Sequence, residues 1–249
     1  MVRPPSVVPE ALVVPARLNT RASLSVRYVV LLTLTDSSEG CTETADVVLA
    51  EYVLQMTPTR LDALATLRSR TSTSHRRLET GLGLMSDDLT MGRYVVLLSR
   101  FAALHQTLDD QIASALVPHA GCTGFDGLDI EGRRKMPSLR TDLAALNQRM
   151  PPPCGHFDDI SSVAGALGAM YVCEGASLGG RVIGPRVRTM LGDGTPTDYF
   201  ESYGDDVADR WATFRRALVL ALVTDDDIDA AVTGAVGVFD RFSAVLLGD

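Results

Sequence analysis

From residue 57 onward, apolar side chains recur every three or four positions, the period of an amphipathic helix. Leu61, Leu64, Leu67, Thr71, Ser74, His75 and Leu78 form the first stripe. Thr57 reads as its cap with Pro58 at the first helical position, and Gly81 and Gly83 as its end. Tyr94, Leu97, Leu98, Phe101, Leu104 and Leu108 predict a second helix over 88–117. Gly121, Gly124, Gly127 and Gly132 make 118–135 a loop, and Ser138 is read as the cap of a short helix ending near Met150. An apolar run from Ser161 predicts a further helix. It should break at Gly184-Pro185, because proline disrupts a helix interior, with a short helix following to Leu191. Two more helices are expected over 206–223 and 225–247, the last opening on Asp225-Asp226-Asp227, acidic charge that suits a helix N-terminus. No strand pattern follows residue 56, so residues 56–249 are expected to form one all-α domain.

Residues 1–55 differ in texture. Pro4, Pro5, Pro9 and Pro15 punctuate them, and the β-branched run Val26–Thr35 reads as a lone strand, marginal in water without a partner. They are expected to be a poorly structured or loosely packed extension, with Met56 a candidate natural start of the functional domain.

Charge narrows the partners. A formal net charge of −8 over 249 residues argues against a nucleic-acid binder and against a polybasic membrane anchor. No run is expected to reach the roughly 20 apolar residues of a membrane span. Cys41, Cys122, Cys154 and Cys173 are scattered without paired spacing, which suits free thiols in a reducing cytoplasm.

Candidate chemistry concentrates in two helices. Gly165, Gly168, Gly175, Gly179, Gly180 and Gly184 stud one of them. Each interior glycine costs a helix about 1 kcal/mol relative to alanine, so bare backbone is wanted there. Gly175 and Gly179 lie four apart with Tyr171 one turn earlier, giving a face on which a flat object can rest. Tight helix–helix packing without any ligand is the other explanation of such glycines. On the first helix, His75 is followed one turn later by Glu79, a carboxylate placed to accept from Nδ1–H and leave Nε2 for a metal. Small neighbours Thr71, Ser72 and Ser74 leave room beside the ring. Arg68, two turns upstream, can meet a carboxylate. One imidazole facing naked backbone fits haem. His105, His119 and His156 share no ligand spacing and read as structural or exposed.

Leu67-Arg68-x-x-Thr71-x-x-x-His75-x-x-Leu78-Glu79, taken with Gly168-Ala169-x-Tyr171-Val172-x-Glu174-Gly175-x-x-Leu178-Gly179-Gly180, resembles the bacterial haem oxygenases, in particular the branch associated with bacteriophytochromes. Tyr94, Phe101, Tyr203-Gly204, Trp211 and Phe214 echo the same pattern, which spans about residues 57–245. The resemblance implies a helical bundle gripping haem, both substrate and cofactor, between a proximal and a distal helix. It implies cleavage with O2 and an external electron donor, a ferredoxin or flavoprotein reductase, to biliverdin, carbon monoxide and ferrous iron. A bacteriophytochrome is a possible recipient of the product. His75 would be the iron ligand with Glu79 behind it, Gly175, Gly179 and Gly180 the distal backbone, and Arg68 and Tyr171 contacts to the ring. Ala176 stands where many relatives outside that branch carry an aspartate, which leaves distal proton delivery unassigned. A haem carrier or sensor using the same pocket is the rival reading.

Overall fold

Six α-helices organise residues 60–248, the part of the chain that the computed structural model describes, and no strand occurs among them. They are α1 (Arg60–Leu82), α2 (Met91–Leu116), α3 (Met136–Ala145), α4 (Val163–Leu191), α5 (Val207–Ala221) and α6 (Asp225–Leu247). The expected extension and strand within 1–55, and the Thr57-Pro58 cap, lie outside the described residues.

α4 is the axis of the bundle. From Ala164 to Glu174 all but Tyr171 are buried, and α6 packs along it while also packing on α1. α2 supplies a second wall through Tyr94, Leu98, Leu104 and Leu108, each fully buried. The helix signals in the sequence are used: Thr90, Ser162 and Thr224 each cap a helix by accepting a backbone N–H, and Asp227 completes a capping box with Thr224.

Three expectations are corrected. α3 begins at Met136, not at Ser138, because Asp109 of α2 accepts the N–H groups of both Lys135 (2.7 Å) and Met136 (2.9 Å) and so anchors the first turn from outside. α4 does not break at Pro185 but runs through it to Leu191. Residues before proline avoid helical geometry partly through their Cβ, and Gly184 has none. Beyond the proline, Val187 is fully buried and Arg188 pairs with Glu201 at 2.9 Å, so tertiary contacts carry the helix on. Finally, Asp225–Leu247 is long and apolar enough by composition to cross a membrane. Half of that stretch is buried inside the bundle against α1 and α4, which accounts for its apolar face.

Asp142 of α3 ties the 192–206 connection to the bundle by accepting the N–H groups of Asp198 and Tyr199, both at 2.9 Å. Burial pushes its carboxyl up from 3.8 to about 6 despite those bonds. An acid with a raised folded pKa holds more protons when folded, so stability falls as pH rises between 3.8 and 6. Denaturant unfolding followed between pH 4 and 6 should show this loss, at most ~1.4 kcal/mol per pH unit, and Asp142→Asn should flatten it. An equally steep loss in the variant would assign it to other groups.

Candidate active site

A cavity of about 1040 Å³ is lined mainly by α1 and α4, with further residues from α2, α5, α6 and the 192–206 connection. It stands at the upper end of the roughly 300–1,000 Å³ typical of small-molecule sites. α1 contributes Arg68, Thr71, Ser72, His75, Arg76 and Glu79; α4 contributes Tyr171, Gly175, Ala176 and Gly179. Aromatic side chains fill the remaining perimeter, among them Phe101, Tyr199, Trp211, Phe239 and Phe242.

His75 is the titratable ring of the α1 wall. Its side chain is 60% exposed and Phe239 meets it edge-on at 6.0 Å, so the ring is oriented yet not buried. Glu79 Oε2 lies 3.6 Å from Nδ1, on the side expected for a carboxylate that fixes the tautomer, slightly beyond hydrogen-bond length. Thr71 is buried and its hydroxyl donates to Leu67 O at 2.7 Å, so that donor is satisfied within the helix.

The glycines of α4 divide into two sets. A methyl group added at Gly168 would lie 1.8 Å from the Ala231 carbonyl oxygen, at Gly165 2.2 Å from that of Asp159, and at Gly180 1.8 Å from that of Phe200. These three let other backbone approach α4 closely. Gly175 instead faces open space, and the nearest atom to a methyl at Gly179 would be Ile183 Cδ1 at 3.9 Å. Both line the cavity, while Gly180 does not. Packing and ligand readings of the glycine helix are therefore both realised, at different residues. Gly180, expected on the distal face, belongs to the packing set.

Behind the glycine wall lies a buried polar layer. Arg133 donates to Glu174 Oε2 at 2.5 Å and to the Arg210 carbonyl at 2.9 Å, and Tyr203 donates to Glu174 Oε1 at 2.6 Å. Glu174, conspicuous in the sequence pattern, is thus a structural partner of Arg133 and lies outside the cavity lining. Lys135, 2% exposed, donates to Ser177 Oγ at 2.7 Å and sits 3.7 Å from the Tyr203 ring centroid. Burial brings its ammonium down to about 8. His105, also 2% exposed, has Nδ1 2.9 Å from Asp109 Oδ1 and Nε2 3.2 Å from the Tyr199 hydroxyl.

The structure brings Arg68, His75, Glu79, Tyr171, Gly175 and Gly179 around one cavity. Among the cavity residues that sequence reasoning missed are the basic side chains Arg76, His105, Lys135 and Arg215. His105 had a usable signal, since Asp109 follows it by one turn just as Glu79 follows His75. Lys135 had none, because it sits in a glycine-rich stretch without periodicity. Among the described residues no three His, Cys, Asp or Glu side chains cluster to hold a bare metal ion. A single imidazole facing a broad slot suits a metal already carried in a flat ligand.

Against known proteins, the chain is 32% identical over 161 residues to a haem oxygenase of Xanthomonas campestris pv. campestris, covering 63% of this chain and 90% of that protein. No family model matches. Two solved structures share the fold. The NO- and CO-bound haem oxygenase from Neisseria meningitidis gives a TM-score of 0.58 at 18% identity, over 74% of this chain and 89% of that one. The haem oxygenase from Leptospira interrogans gives 0.57 at 17% identity, over 75% and 99%.

Proposed function

This chain belongs to the haem oxygenase family, and on that premise we propose that it cleaves haem to biliverdin, carbon monoxide and ferrous iron, with His75 as the iron ligand. Haem is the substrate and its iron is where O2 and electrons are taken up. Everything else is supplied by the walls. His75 would hold the ring from the α1 side, and Glu79, 3.6 Å from Nδ1 and just short of a hydrogen bond, would fix the imidazole tautomer on closing that gap, leaving the Nε2 lone pair for the iron. Gly175 and Gly179 bring bare backbone to the opposite face.

The observation that carries this reading is that combination: one partly exposed imidazole across a slot from two glycines with open space in front of them. Arg68, Arg76 and Arg215 are the guanidinium groups along the cavity, suited to the propionate carboxylates. Tyr171 and Trp211, with ring centroids 6.2 Å apart, and Phe239 and Phe242 close the apolar perimeter and limit water. Within the glycine wall, Gly175, Ala176 and Gly179 carry no acid or base, so bare peptide would set how a ligand lies against this face, with Tyr171, Cys173 and Ser177 of the same helix lining the cavity beside them. Electrons come from an external donor such as a ferredoxin or flavoprotein reductase. The protein is read as cytoplasmic, with a bacteriophytochrome as one candidate recipient of the pigment.

Titration with haem should give one saturable Soret complex per chain. Ascorbate and air should then bleach it, with bile-pigment absorbance and carbon monoxide appearing together. Haem that binds and survives this treatment would make the protein a carrier or sensor instead.

A further inference from the structure

Gly175, Ala176 and Gly179 have no side chain able to hold solvent, yet Ser177 lines the cavity beside them and a charged group stands behind it. Lys135 lines the cavity at the α4 side and is linked to that helix through Ser177, which itself lines the cavity two residues beyond Gly175. The Ser177 hydroxyl accepts from Lys135 at 2.7 Å and donates to the Cys173 carbonyl at 3.1 Å. Its proton is therefore committed, and one acceptor lone pair is left. Two of the three ammonium donors are directed at Ser177 and at the Tyr203 ring, and the third contact, Ser202 Oγ at 3.5 Å, is at the limit of a hydrogen bond. His105, the other buried polar ring of the cavity, has both nitrogens engaged by Asp109 and Tyr199. Lys135 is a buried lining cation beside Ser177 whose remaining donor is only weakly engaged.

We propose that Lys135 is a positioning residue for the distal face, its ammonium orienting water along the Ser177 edge of the glycine wall and favouring the deprotonated form of water held against the ring. This rests on the haem oxygenase reading above. It fills the role left open by Ala176, whose side chain is a methyl group. The charges facing the ammonium come from several elements: Glu174 and the Cys173 thiol on α4, Asp109 on α2, Arg133 on the preceding turn, and Arg210 of α5 across the Tyr203 ring. Burial, the largest influence, brings the ammonium to about 8, so it is mostly charged at neutral pH and close to the point of losing its proton.

The test is the pH midpoint of the acid–alkaline transition of the ferric haem complex, read by visible absorbance in wild type, Lys135→Met and Lys135→Gln. A cation near a titrating water lowers its pKa by about 1–3 units, so both neutral variants should raise the midpoint by about one unit or more. Lys135→Arg should return it toward wild type. Ser177→Ala removes the ammonium's strongest acceptor without removing the charge, and should shift the midpoint less, in the same upward direction. This variant decides the question should the lysine variants fail to fold. Variants that bind haem with the wild-type midpoint would make Lys135 a structural residue only. A wild-type protein that gives no saturable haem spectrum would instead overturn the underlying assignment, and the two failures are distinguished by that titration alone.

Discussion

His75→Ala is expected to lower haem turnover by more than ~100-fold while leaving the helical bundle folded. Losing even an outer partner of a metal ligand typically costs about 10–100-fold, and removing the ligand itself should exceed that. Stability should change little, because the side chain is 60% exposed and its packing is mainly one edge contact with Phe239. The variant should still take up haem through the apolar perimeter and the arginines, but with a displaced Soret band. Added imidazole has room to enter the vacated position and should restore part of the wild-type spectrum and rate. Glu79→Gln isolates the second-row effect: turnover should fall within the 10–100-fold range with the ligand still in place. A fully active His75→Ala would remove the ligand assignment and return Thr71, Ser72 and Glu79 to the status of ordinary wall residues.

How much of this was legible beforehand follows from the range of each signal. Helical period is local, and α1, α2, α5 and α6 fall within a few residues of their expected limits. Capping by Thr90, Ser162 and Thr224 is equally local, although only Thr57 and Ser138 are read as caps from the sequence. What the sequence could not show were interactions that cross the bundle. Asp109 starts α3 from 26 residues away, and the Arg188–Glu201 pair secures α4 beyond Pro185. The site divides in the same manner. His75, Glu79, Gly175 and Gly179 announce themselves by spacing within one helix, whereas Lys135, Arg215 and the second face of His105 depend on elements that meet only in the folded chain. Glu174 shows the converse: a prominent motif residue whose partner, Arg133, could not be inferred, and whose carboxylate turns away from the cavity.

The division of the α4 glycines makes opposite predictions for the same substitution. At Gly168 a methyl would stand 1.8 Å from a backbone oxygen of α6, which cannot swing aside as a side-chain end would. Overpacking typically costs 1–3 kcal/mol, and backbone against backbone belongs at the top of that range or above it. Gly168→Ala should therefore destabilise the haem-free protein by ~3 kcal/mol or more, a fall of roughly 6–12 °C in Tm for a domain of this size. Gly175→Ala meets nothing within 4 Å. It should gain ~0.5–1 kcal/mol from improved helix propensity alone. The gain is bought at the cavity, because the methyl enters the space where the ring must lie against backbone, and haem affinity should drop about tenfold, equivalent to ~1.4 kcal/mol. Thermal unfolding without haem and haem titration, run on both variants, separate the two effects. A Gly175→Ala protein that melts early, as Gly168→Ala does, would mean that α4 is bare at that point for packing. The slot would then lose the wall on which its reading as a haem site depends.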